Sequence, residues 1–270
     1  MRRAAHYLLD AEPKILADGF ARALAGFSSD EEFLRAFETV PNAHIPGLNM
    51  FFALRNRFAE DELAKAVKQG TQYVILGAGL DSLAYRRPDL VRSLDVYEVD
   101  HPASQAWKRE RVAALGIPIP PTLHYAPIDF ERTSLTEGLV TAGLKRHEPA
   151  FFTWLGVTRY LTREAVLRTL REVAALSTVE STLVVEFLAA PRTLNGEDAA
   201  LFNSTAEAVA KLGVPWLSFF TSDDMQDALT QVGFRSVEHS GPAEAFDCYL
   251  RGRTDGARLH GHHRMAKATT

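Results

Sequence analysis

The stretch TQYVILGAGLDSLAYRR, residues 71–87, is an apolar run that breaks at Gly77-Ala78-Gly79 and resumes in a helix-like pattern. A strand, a tight glycine turn and a helix in that order form the junction at which an open α/β sheet meets its ligand. What the turn can hold decides which fold and chemistry the rest of the sequence must supply.

Downstream of it, short apolar segments alternate with helical ones. YVILGAG, LDVYEVD, LHYAPIDF, AFFTWLGV and TLVVEFLAA read as strands, with HPASQAWKRERVAAL and TREAVLRTLREVAAL among the helices between them. Such alternation predicts a parallel sheet covered on both faces. Upstream, residues 1–70 carry no strand signal and read as a helical cap: PKILADGFARALAGF, SSDEEFLRAFETV with its Ser-Ser-Asp start, and MFFALRNRFAEDELAKAVKQG closed by Gly70. A helical insertion is expected at about 191–220, then a capped helix TSDDMQDALTQVGF. RSVEHS and AFDCYLRGR, separated only by GPAE, predict a terminal antiparallel hairpin, because so short a link cannot make a parallel crossover. The organisation expected is a single catalytic unit over 1–270, with its core at 71–250 and a tail at 251–270.

Composition narrows the function. With 30 basic against 34 acidic residues and a net charge of -4, there is no basic footprint for nucleic acid. No run approaches the ~18 apolar residues of a membrane span, and the N-terminus, interrupted by Asp10, Glu12 and Pro13, lacks the pattern of a secretory leader. The one cysteine, Cys248, excludes an internal disulfide and is expected to be an inert core residue. A cytoplasmic enzyme acting on small molecules is the expectation.

The turn itself chooses among cofactors. A dinucleotide fingerprint needs a third glycine, and this loop has Ser82 there. Asp81 stands at the helix start where a pyrophosphate would lie, and a like-charge pair ~5 Å apart costs about 3 kcal/mol at an effective dielectric near 20. A cationic, phosphate-free cofactor is favoured instead, and S-adenosylmethionine fits. Its ribose needs a carboxylate: Asp100, closing the second strand about 20 residues on, is the first candidate, and Glu98 the reserve on the same face. Asp129, at the end of PIDF, is placed to accept from an adenine amino group with Phe130 covering the ring, or merely to cap ERTSLTEGL.

VILGAGLDSLAYR, VYEVDHPASQAWKRERV, PIDF and WLGVTRYLT together resemble the leucine carboxyl methyltransferase-like family of class I S-adenosylmethionine-dependent methyltransferases, in its bacterial O-methyltransferase branch. The resemblance runs from about residue 50 to 190 and is looser at both ends. It implies a doubly wound, Rossmann-like α/β fold with a seven-stranded sheet. It also implies that Gly77 and Gly79 face the methionine part, that Asp100 binds the ribose, and that Asp129 and Phe130 contact the adenine. Arg55 matches an arginine that pairs with the cofactor carboxylate, with Arg57 as the alternative, and Tyr160 matches a tyrosine expected at the substrate. One departure stands out: where relatives often carry a glutamate facing the cofactor, this chain has Leu155, so Asp81 or Glu186 is left to substitute.

Methyl transfer to a carboxylate needs no general base, whereas transfer to a hydroxyl does. Among the nine histidines, His6, His44, His101 and His124 have no evident partner, so none is named as base. HGHHR near the end is expected to be a solvated terminus rather than a metal site. Aromatic residues in VPWLSFF and GLNMFFAL suit an apolar acceptor pocket or plain core. O-methylation of a carboxylate or hydroxyl on a small, partly apolar acceptor is therefore the expected activity. An NAD(P)-dependent oxidoreductase and a catalytically weakened methyltransferase-fold binding protein are the alternatives.

Overall fold

Val74 and Leu76 point to one side of their strand, Tyr73 and Ile75 to the other, and all four are buried. A strand apolar on both faces belongs in the middle of a covered sheet. The computed structural model, which describes residues 1–45, 47–68, 70–255 and 258–270, places it there. The strands are β1 (Gln72–Leu76), β2 (Asp95–Asp100), β3 (Leu123–Pro127), β4 (Ala150–Trp154), β5 (Thr182–Leu188), β6 (Ser236–Ser240) and β7 (His263–Thr269). They form one seven-stranded sheet in the order β3-β2-β1-β4-β5-β7-β6. β1 to β5 run parallel, and β7 lies antiparallel between β5 and β6.

Tyr73, Ile75, Val96 and Phe151 pack with Ala59 and Leu63 of the helix Leu48–Ala66 and with Leu83 and Leu90. On the opposite face Val74, Leu76, Phe152 and Trp154 pack with Leu139, Val166, Leu170 and Leu229. The order reverses between β1 and β4, so the crevice beyond their carboxyl ends is the switch point where such sheets take ligands. The helices Arg2–Leu9, Ala21–Leu24 and Asp30–Phe37 lead into Leu48–Ala66, with the Ser29 hydroxyl capping the third by accepting from Glu32 N at 3.1 Å.

Several expectations need correction. PKILADGFARALAGF forms only the turn Ala21–Leu24, because Asp18 leaves the helical path to bind Arg3 Nε at 2.9 Å. The helix expected to close at Gly70 ends at Ala66, and Gln69 lies outside the described residues. The antiparallel pairing at the C-terminal edge stands, but its strand is not AFDCYLRGR. Pro242, in the first turn, favours a helix start there, and Glu244 caps it by accepting from Gly241 N at 2.9 Å, so Pro242–Tyr249 is a helix. Cys248 is consequently exposed rather than a core residue. The segment expected as a tail supplies β7, and its His262 and His263 are buried rather than solvated.

Candidate active site

The glycine turn is built by close approach. Gly77 and Gly79 have φ of 69° and 50°, in the left-handed region that favours glycine, and Ala78 N ties the turn to Val99 O at 2.9 Å. Asp81 is buried at the following helix start, where its Oδ1 accepts from Leu83 N at 2.8 Å and its Oδ2 from Asn56 Nδ2 at 3.1 Å. A carboxylate has about four acceptor positions, so Asp81 keeps capacity for a ligand.

Two cavities meet at this turn. The first, about 210 Å³, is lined by Gly77, Gly79, Asp81, Asn56, Arg55, Arg3 and Leu155. The second, about 360 Å³, shares Gly77, Gly79 and Val157 with it and adds Asp100, His101, Asp129, Phe130 and Tyr160. They form the two lobes of one trench along the ends of β1, β2 and β4. Every position expected from the sequence to face a cofactor, Arg55, Gly77, Gly79, Asp81, Asp100, Asp129 and Phe130, lines one lobe or the other, as does Tyr160.

In the larger lobe, Asp100 accepts from Gly79 N through Oδ2 and from His101 N at 2.7 Å through Oδ1, which fixes its carboxylate at the junction of the lobes. Asp129 does not cap the helix in ERTSLTEGL, which starts at Leu135 with Ser134 Oγ accepting from Glu137 N at 3.3 Å. Its Oδ1 accepts instead from Glu131 N at 3.0 Å in the turn after β3, and it lines the cavity. Phe130 packs toward Trp154 with ring centroids 6.2 Å apart. Glu98, the reserve for the ribose, is excluded: it is fully buried and bound to Lys108 Nζ at 2.7 Å. Burial pushes its carboxyl up, and Lys108 opposes that rise.

In the smaller lobe, Arg55 rather than Arg57 enters the trench, since Arg57 is occupied on the helix surface by Asp61 Oδ1 at 2.8 Å. Arg55 Nη1 donates to Glu186 Oε2 at 2.6 Å, and its guanidinium lies 4.6 Å from the centre of the Phe52 ring. Glu186 also binds Arg159 and accepts from His263 Nδ1 at 3.0 Å. Burial alone would raise the Glu186 carboxyl, but Arg159, Arg55 and the His263 hydrogen bond hold it well below the usual carboxylate range. Burial lowers His263 to about 4. Glu186 is thus already engaged, and Asp81 is the acid that faces the lobe beside Leu155.

Sequence reasoning missed Arg3, which donates to Leu80 O at 2.5 Å as well as to Asp18. It also missed Asn56, one residue beyond Arg55, and the partners that Arg159 and His263 give Glu186. Of the histidines considered as bases, only His101 borders the trench. His6 is buried and accepts from Ile15 N at 3.1 Å, His44 is exposed, and His124 stacks on Tyr97 at 4.8 Å. Much of GLNMFFAL is core, with Leu48, Met50, Phe51, Ala53 and Leu54 buried, while Phe52 borders a neighbouring cavity.

The sequence profile of the leucine carboxyl methyltransferase family matches residues 1–174, well over half of the chain. The chain belongs to the leucine carboxyl methyltransferase family. Within it, the chain is 35% identical over 187 residues to a Bacillus subtilis (strain 168) protein provisionally named an S-adenosyl-L-methionine-dependent methyltransferase, YktD, covering 68% of this chain. The match spans 60% of that relative's length. Solved structures share the fold: a protein provisionally named a methyltransferase, from Thermobifida fusca YX, aligns at 19% identity with a TM-score of 0.62 over 93% of this chain and 92% of its own. A DUF574 family protein from Streptomyces avermitilis MA-4680 aligns at 14% identity with a TM-score of 0.63 over 92% of this chain and 94% of its own. No helix among the described residues is long and apolar enough to cross a membrane.

Proposed function

We propose that this family member is an S-adenosylmethionine-dependent methyltransferase that methylates a carboxylate on a small, partly apolar acceptor. One observation carries the cofactor: a single trench, joined at Gly77 and Gly79, sets a cation and an acid side by side in one lobe and two acids with an aromatic ring in the other. An amino-acid zwitterion needs the first arrangement and an adenosine the second. The fit extends to an orphaned atom, since Asn56 Oδ1 is buried without a hydrogen-bond partner among the described residues and suits an ammonium donor. Arg55 would bind the carboxylate, Asp81 and Asn56 the ammonium, Asp100 the ribose hydroxyls, and Asp129 and Phe130 the adenine.

When bound, this cofactor supplies an electrophilic methyl on a sulfonium. The chain's task is to align the acceptor and keep water out. Arg2, Arg3, Arg55, Phe52 and Leu80 border a further cavity of about 270 Å³ adjoining the smaller lobe. Its guanidiniums and its aromatic wall suit a carboxylate carried on an apolar group, which needs no proton removed at neutral pH. A hydroxyl acceptor would require a base, and the only histidine bordering the trench among the described residues, His101, lines the nucleoside side.

Calorimetry with S-adenosylmethionine and S-adenosylhomocysteine tests the proposal. Both should bind, and Asp100→Ala should abolish binding while leaving the melting transition in place. Tight binding of NADH with no response to either adenosyl ligand would instead favour an oxidoreductase.

A further inference from the structure

We propose that Glu186 is a positioning residue for Arg55, and that the cluster it forms with Arg159 and His263 carries one positive charge in excess, presented to the smaller lobe through Arg55 as the binding point for a ligand carboxylate. The identity of that ligand rests on the methyltransferase reading above.

Glu186 lies two residues before the end of β5, has no solvent exposure and does not line either lobe of the trench. Its two oxygens divide the work: Oε2 takes Arg55 Nη1 at 2.6 Å, and Oε1 takes Arg159 and, at 3.0 Å, His263 Nδ1. His263 is buried beside two guanidiniums, which disfavours its charged form, so one carboxylate faces two guanidiniums. Arg159 is itself buried, with its guanidinium 5.7 Å from the centre of the Trp216 ring. Arg55 is therefore the member through which the excess charge reaches the trench. The nearby pair Arg3 and Asp18 cancel and Leu155 adds no charge, while Asp81, held by the neutral donors Asn56 and Leu83 N, is the lobe's acid. The lobe thus offers one cation and one anion, and Arg55 is the group a ligand carboxylate can meet.

The orientation of Arg55 depends on this one acid. Its Nε has no hydrogen-bond partner among the described residues, and Phe52 contacts only the face of the guanidinium. Gly156, with φ of 77°, gives it room: a Cβ there would stand 2.7 Å from Arg55 Nη1. A guanidinium free to rotate in that space would lose the alignment that bidentate carboxylate recognition requires.

Two ligands separate positioning from a merely structural role: S-adenosylhomocysteine and its decarboxylated counterpart, 5′-deoxy-5′-(3-aminopropylthio)adenosine. The wild-type chain should prefer the first by about tenfold or more. Glu186→Gln adds net positive charge to the cluster but removes the charged acceptor that aligns Arg55. If positioning governs recognition, the affinity for S-adenosylhomocysteine should fall and the preference shrink to a few-fold at most, with affinity for the decarboxylated ligand unchanged. Arg55→Gln, which leaves Glu186 paired with Arg159 and so protects the fold, should lose the same preference, and adding Glu186→Gln to it should cost nothing more. Equal weakening of both ligands in Glu186→Gln, or a preference that survives either substitution undiminished, would overturn the positioning role and leave the methyltransferase reading intact. No preference in the wild type would do the same. Failure of the wild type to bind either ligand would overturn the methyltransferase reading and this inference with it.

Discussion

Gly77 and Val157 are packed so closely that a Cβ on Gly77 would stand 2.1 Å from Val157 Cγ2. Gly77 also has φ of 69°, where any other residue is strained. Gly77→Ala should therefore destabilise the chain by about 2 kcal/mol or more, from overpacking and backbone strain together, and should narrow the trench where its lobes join. Thermal denaturation measures the first effect and titration with S-adenosylhomocysteine the second. Val157→Ala on the same background should restore part of the stability, because it relieves the contact but not the φ.

The parallel core was legible because its signal is local. β1 and β4 carry apolar runs, and β2 and β3 shorter apolar stretches broken by Glu98 and His124. Glycines or acids follow the ends of β1, β2 and β3, so Gly77, Gly79, Asp100 and Asp129 could be placed at strand ends from sequence alone. The failures occurred where long-range contacts decide. β7 contains His263, Lys267 and two alanines, which resemble no strand until Lys267 is seen bound to Glu62 at 3.1 Å and to Glu238 at 2.9 Å. The role of Glu186 was hidden in the same way: its partners come from residues 55, 159 and 263, which no periodicity connects.

His263 makes stability depend on pH. Burial, together with Arg159 and Arg55, lowers its pKa from 6.5 to about 4, despite Glu186. The unfolded chain therefore binds the proton first as pH falls, so the contribution is complete above pH 6.5 and is lost progressively between 6.5 and about 4. A shift of this size corresponds to about 3 kcal/mol. Melting temperature measured across that window should fall toward acid in the wild type and should fall less steeply in His263→Gln. Parallel slopes would assign the acid sensitivity elsewhere, with the buried His262 the next residue to test.

Removal of residues 259–270 should prevent folding rather than trim a loose end. β7 pairs with β5 from Leu188 to Thr182 and with β6 from Ser240 to Ser236, so its loss unpairs two strands at once. It would also expose Val184, Val185 and Phe187, which are fully buried in the intact sheet. Circular dichroism and size-exclusion chromatography of the truncated chain should show an unfolded or aggregated product. A truncated chain with a native melting transition would mean that the edge is dispensable.

Asn56 gives a test of the proposed ammonium site that is independent of Arg55. Its Nδ2 is held by Asp81 Oδ2 at 3.1 Å, leaving Oδ1 buried and unpartnered among the described residues. Asn56→Ala removes both an acceptor for the ligand and a donor to Asp81, and the lost hydrogen bond to Asp81 should itself destabilise the chain by about 1 kcal/mol. Affinity for S-adenosylhomocysteine should fall about tenfold, while affinity for its analogue lacking the α-amino group should be unchanged. The preference for a carboxylate should survive in this variant, since Arg55 and Glu186 are untouched. If Asn56→Ala instead weakened both ligands alike, Asp81 and Asn56 would have only a structural part in the turn, and the ammonium would have to be held elsewhere in the lobe.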